Sequence, residues 1–137
     1  MTETVIQKSI HLRATPAQVW AWLTDPEKLE IWFHKPDKAL VEGEYTMHAA
    51  DTGDMKMWGE VLVAEPFNRL EYTFVIPPMG DKVSTISWSL EEVPGGTKLS
   101  MIHSGLPQGA EAYGLMLALD EGWDEHIKCM RDGIRAS

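Results

Sequence analysis

The sequence predicts an α+β fold: a curved antiparallel sheet of about six strands gripping one long C-terminal helix, with two short helices after the first strand. Three observations predict it. Apolar residues recur with period two in successive runs from Leu40 to His103, separated by turn residues with no helical stretch between them. Residues 110–134 then change to helical spacing with a single apolar face. An antiparallel sheet with one polar and one apolar face needs a cover, and that helix is the element of the right size.

The elements follow in order. From Val5 to Arg13, Ile6, Ile10 and Leu12 face one way and Gln7, Ser9, His11 and Arg13 the other, which is a half-buried strand. Thr15-Pro16-Ala17-Gln18 is a helix start, with Thr15 as N-cap, Pro16 where its missing N–H costs nothing, and Gln18 completing a capping box. Val19, Trp20 and Leu23 form the stripe of this short helix, which ends near Thr24. Asp25-Pro26 repeats the cap-and-proline logic and opens a second helix carrying Leu29, Trp32 and Phe33.

Val41, Gly43, Tyr45 and Met47 then alternate with Glu42, Glu44, Thr46 and His48. The turn Asp51-Thr52-Gly53-Asp54 leads to a strand from Met55 to Ala64, and Glu65-Pro66-Phe67-Asn68 turns the chain into Leu70, Tyr72, Phe74 and Ile76. After the loop Pro77-Pro78-Met79-Gly80, Val83 to Val93 sets Ile86, Trp88 and Leu90 against Thr85, Ser87 and Ser89. Pro94-Gly95-Gly96 is a hairpin signal, and Leu99, Met101 and His103 return beside them. Beyond the loop Gly105–Gly109, the stripe Leu115, Leu119, Gly122, Trp123, Ile127, Met130 and Ile134 marks the long helix, with Gly122 expected at a close approach to the sheet.

Length and composition bound the function. One domain, 1–137, is expected from 137 residues without repeats or linkers. A net charge of −9 repels phosphate backbones and anionic lipids, so nucleic acid is not an expected partner and membrane insertion is not expected either. No secretory signal is visible, and a cytoplasmic location is expected. Cys129, the single cysteine, makes no internal disulfide.

Motifs for covalent or metal chemistry are missing. There is no G-x-S-x-G elbow, and His103 and Ser104, as strand neighbours, point to opposite faces. His11, His34, His48, His103 and His126 are scattered, so only a fold could gather them, and no metal or cofactor is expected. Asp51-Thr52-Gly53 spells an aspartic-protease triplet but sits in a turn, and Gly95-Gly96 lies between strands rather than ahead of a helix. Glu42 with Glu44, and Glu91 with Glu92, are expected as solvated charge.

A set of short stretches resembles a known superfamily. Ala14-Thr15-Pro16-Ala17-Gln18-Val19-Trp20 with Leu23-Thr24-Asp25-Pro26, then Leu29 and Trp32, is followed by Gly59-Glu60-Val61-Leu62, Glu65-Pro66 and Arg69-Leu70. Ser89-Leu90-Glu91, Gly95-Gly96-Thr97-Lys98-Leu99, His103 and Gly122-Trp123 complete it. In this order they resemble the START-like (SRPBCC) superfamily, and within it bacterial homologues of the C-terminal domain of the activator of the 90-kilodalton heat-shock protein's ATPase. The resemblance implies a helix-grip fold with a hydrophobic cavity, used across the superfamily for lipids, polyketides and hormones. It implies no single activity and no shared catalytic residues.

Six Trp and eight Met supply large, adaptable apolar surface. The expected inward faces bring Tyr45, Met47, Tyr72, Phe74, Trp88, Met101, His103, Leu119 and Trp123 between sheet and helix as a ligand-binding set. Two tyrosine hydroxyls and an imidazole there need partners, which favours a cavity over a dry core. The leading expectation is therefore binding of a small apolar or aromatic molecule, without established catalysis. A protein-interaction module is the second reading, and a cyclase- or hydrolase-like enzyme using His103 or a tyrosine the third. A monomer or homodimer fits each of them.

Overall fold

The computed structural model describes residues 5–49, 52–75, 83–106 and 113–136. The chain runs β1 (Ile6–Leu12), α1 (Pro16–Thr24), α2 (Pro26–Trp32), β2 (Lys35–Pro36), β3 (Gly43–His48), β4 (Met55–Glu65), β5 (Arg69–Phe74), β6 (Ser84–Val93), β7 (Gly96–Ser104) and α3 (Tyr113–Ala136). The strands form one antiparallel sheet in the order β1-β7-β6-β5-β4-β3-β2. It is curled, with Trp32 of α2 and Trp123 of α3 packed on Trp88 of the sheet, so the fold is α+β and helix-grip-like. No helix among the described residues is long and apolar enough to cross a membrane.

The helix starts form as the sequence predicts. Thr15 Oγ1 accepts from the Gln18 amide at 3.2 Å, and Gln18 Oε1 accepts from the Thr15 amide at 2.8 Å, satisfying two otherwise orphaned donors. Asp25 Oδ1 accepts from the Glu27 amide at 3.0 Å and opens α2. Register then sets the interior. Tyr72 lies opposite Ile86, which lies opposite His103, which lies opposite Ile6. Adjacent to this row, Leu70, Trp88, Met101 and Lys8 align in the same way.

Several expectations are corrected. The sheet has seven strands, because Lys35–Pro36 adds a short edge strand too brief to show a period. The buried tryptophan of α1 is Trp22, with Trp20 only partly covered, because α1 packs against α2 as well as the sheet and its apolar arc is wider than one stripe. Val41 is exposed: β3 begins at Gly43, whose φ of +123° turns the chain. Lys8 shares the inward phase of Ile6 and Ile10, which the apolar pattern alone passes over. Gly122 meets nothing within 4 Å, whereas a Cβ on Gly133 would lie 2.5 Å from the Trp22 ring, so Gly133 is the close approach. Asp51, Ile76, the Pro77–Gly80 loop, residues 107–109 and the helix start at 110–112 lie outside the described residues.

Candidate functional site

The nine residues expected between sheet and helix all have restricted exposure. Met47, Met101 and His103 are 0% exposed, Trp88, Tyr72, Trp123, Phe74 and Tyr45 are buried, and Leu119 is half-buried. Trp123 is the hub. Its ring meets Trp88 at 5.8 Å, His103 at 5.9 Å and Phe74 at 6.3 Å between centroids. Phe74 also meets His103 edge-on at 5.0 Å. Tyr72 joins through its hydroxyl, which accepts from Trp88 Nε1 at 3.1 Å. Tyr45 is turned elsewhere: its ring meets Tyr72, but its hydroxyl donates to the Thr73 carbonyl, and it lines a separate pocket of about 230 Å³ with the 36–41 segment.

The polar atoms of this interior close on one another. Trp123 Nε1 can only donate, and it lies 3.1 Å from His103 Nδ1, so Nδ1 is the acceptor and Nε2 carries the proton. His103 Nε2 therefore donates to Ser84 Oγ at 2.8 Å, and the Ser84 hydroxyl donates onward to the Phe74 carbonyl at 3.0 Å. Burial pushes the His103 pKa down to about 4, because an imidazolium here would be desolvated. Burial likewise raises both tyrosine hydroxyls well above their ordinary value. Both imidazole nitrogens thus have protein partners, the Tyr45 hydroxyl donates to Thr73, and the Tyr72 hydroxyl accepts from Trp88.

Ser84 and His103 resemble a nucleophile with its base, but the polarity is reversed. A general base must accept the serine proton, whereas here the imidazole donates and its other nitrogen is already engaged. Ser84 was missed by sequence reasoning because its pairing with His103 crosses from the start of β6 to β7. Among the described residues, no group of three or more His, Cys, Asp or Glu is placed to hold a metal ion.

Sequence reasoning also missed a rim. Phe33, which caps α2, stacks on Trp32 at 5.2 Å and on Trp123 at 5.4 Å, and meets His34 and His126 at 4.6 and 4.9 Å. The fold therefore gathers two of the scattered histidines, His34 and His126, whose rings lie 5.7 Å apart. His126 Nδ1 donates to the Trp32 carbonyl at 2.8 Å, and burial holds its pKa below the ordinary value. The signal was faint: His126 sits one turn from Trp123 on α3, but nothing local places it against α2. On the opposite side, Lys8 Nζ bridges Asp120 and Asp124 of α3 at 2.8 and 2.9 Å. Burial alone would depress the Lys8 ammonium, but the two carboxylates outweigh it and hold its pKa above the ordinary value.

The sequence matches the family model described as "Activator of Hsp90 ATPase homolog 1-like protein" over residues 13–132. The chain belongs to that family. The resemblance to the heat-shock ATPase activator family read from the sequence agrees with this match. No curated protein matches the chain. Among solved structures, protein MLL2253 of Mesorhizobium loti superposes with a TM-score of 0.84 at 27% identity, covering 98% of each chain. The Aha1 dimer of Colwellia psychrerythraea gives a TM-score of 0.77 at 20% identity and 96% coverage of both, a likeness of fold alone. DynU16, a putative protein of the dynemicin biosynthetic locus, gives 0.84 at 20% identity, with 98% of this chain spanning 48% of that one.

Proposed function

We propose that the protein binds a small apolar or aromatic molecule between the sheet and the first half of α3, with no covalent step. The observation that carries this reading is the packing of α3. Leu115, Met116 and Leu119 lie against the core only half-buried, and full burial on this helix begins at Trp123. A ligand entering there would meet Phe74 and the Trp123 ring as its floor. Because both His103 nitrogens are engaged, recognition rests on shape and ring contact rather than on a hydrogen bond to the imidazole. Membership of a family with a helix-grip-like fold supports the reading, and a satisfied, inward-donating histidine speaks against the enzyme alternative.

Nile red titration tests it. Saturable binding in the micromolar range, quenching tryptophan emission, is expected for the wild type. Leu119→Gln, at a half-buried position that leaves the core intact, is expected to weaken binding about tenfold, roughly 1.4 kcal/mol. Absence of saturable binding, or binding unchanged by L119Q, overturns the reading. The interaction-module alternative then takes its place, with Tyr113 and Leu117, exposed a turn apart on α3, as the surface to examine.

A further inference from the structure

A second site lies at the far end of α3, away from the aromatic cluster. The chain has four arginines, Arg13, Arg69, Arg131 and Arg135. Arg69 pairs with Glu71 at 3.0 Å. The other three line a single pocket of about 220 Å³, together with His11 and the Pro94-Gly95-Gly96 turn. Among the described residues, no Asp or Glu belongs to that lining and none of the ion pairs involves these three arginines. Glu92 and Asp132, next to it in sequence, are exposed and outside it.

Three guanidiniums in one groove with no ion-pair partner among the described residues are unexpected on a chain of net charge −9, where acidic partners are abundant and like charges at close range repel. Compensation of the helix dipole accounts for Arg135 in the last turn of α3, but not for Arg13 from the β1–α1 connection. Arg131, which also borders a second groove beside Asp124 and Lys128, has a buried Nε without a hydrogen-bond partner, the one such side-chain atom among the described residues. A buried charged donor without an acceptor is costly unless something supplies one. The wall of the pocket is also preformed. A Cβ on Gly96 would lie 2.0 Å from the Leu12 carbonyl oxygen, and Thr97 Oγ1 donates to the Ala14 carbonyl at 2.8 Å, pinning the hairpin turn against the end of β1.

We infer that this pocket is a binding site for a phosphoryl dianion, either free phosphate or the phosphate group of a small ester. Guanidinium forks match phosphate oxygens in pairs, and a dianion with at least three terminal oxygens offers three arginines more acceptor sites and twice the charge of a carboxylate. The pocket admits the group and a short organic portion, not a polymer lying along the surface.

Titration of the full chain with inorganic phosphate and with phenyl phosphate, followed by NMR of the Gly95 and Gly96 amides and the arginine Nε–H groups at constant ionic strength, tests this. Saturable shifts confined to these groups are expected, and Arg131→Gln is expected to weaken binding about tenfold or more, the loss of one charge-assisted contact. Tighter binding of phenyl phosphate would identify an ester as the ligand, and equal binding the free anion. Exposed Arg135→Gln provides a second variant should R131Q fold poorly, with a smaller loss in the same direction. Shifts that do not saturate, that persist unchanged in both variants, or that benzoate reproduces at the same concentration overturn the assignment. Nile red binding is independent of this result, so the two sites stand or fall separately.

Discussion

The two halves of α3 are built for different work. From Gly122 back to Tyr113 no side chain is fully buried, and the ion pair of that half is the partly exposed Asp120 carboxylate held by Lys8, which also reaches Asp124 at the start of the second half. From Trp123 onward, Trp123, Ile127, Met130 and Ile134 are buried in turn, Trp123 donates to His103, and His126 fastens the helix to the end of α2. The second half is thus an anchor held by shape and by buried hydrogen bonds. The first half is held by contacts that solvent weakens, since partly exposed ion pairs contribute only about 0–1 kcal/mol each. Regions of low local stability are where binding sites are drawn from, which is why the proposed ligand is placed under the first half.

The largest test of this contrast is Trp123→Ala. Truncating a buried tryptophan is expected to cost about 3–5 kcal/mol, and it also removes the donor to His103 Nδ1, which is then left unpaired. Urea unfolding should show this loss with an unchanged m-value. Leu119→Ala, one turn earlier on the helix, is expected to cost less than half as much because its side chain is only half-buried. Equal losses would mean that the halves are packed alike.

The next test is pH. The His103 pKa falls from 6.5 to about 4 on folding, so the unfolded chain binds the proton more tightly. Stability from this group is complete above about pH 6.5 and is lost as pH falls toward 4, by roughly 3 kcal/mol in total. Most ordinary carboxylates titrate below the upper part of this window, so urea midpoints between about pH 6.5 and 4.5 report chiefly on histidines. His126, whose pKa is also held down, contributes in the same direction. His103→Gln is expected to remove most of the slope and His126→Gln a smaller part. A slope unaffected by H103Q would show that the imidazole is not the buried, neutral acceptor described above.

Much of the anchor was legible in the sequence. Period-two runs placed Tyr72, Trp88, Met101 and His103 on the inner face, and helical spacing placed Trp123 opposite them. What the pattern could not supply was partnership across distance. Ser84 under His103 and His126 under Trp32 depend on how separate elements pack, and neither leaves a periodic trace. Phe33 was read as part of the helix stripe, yet it sits just past the helix end, where a chain reversal turns its ring toward Trp123. The expectation that buried hydroxyls and an imidazole favour a cavity did not count on partners far apart in sequence, such as Trp88 for Tyr72 and Trp123 for His103. The arginine pocket left no local signal at all, since Arg13 and Arg131 lie at opposite ends of the chain.

The glycines of α3 give the smallest and most discriminating test. Glycine in a helix costs about 1 kcal/mol relative to alanine, so where space is open, a methyl group should stabilise the fold. Gly122 meets nothing within 4 Å of an added Cβ, and Gly122→Ala is expected to gain up to about 1 kcal/mol. At Gly133 the same Cβ would lie 2.5 and 2.7 Å from two carbons of the Trp22 ring, which is itself buried and cannot swing away freely. Gly133→Ala therefore opposes the propensity gain with overpacking of about 1–3 kcal/mol, and a net loss is expected. Thermal unfolding of the two variants should move in opposite directions. A stabilising G133A would mean that α1 and the end of α3 are not pressed together, and that the anchor depends on Trp123 and His126 alone.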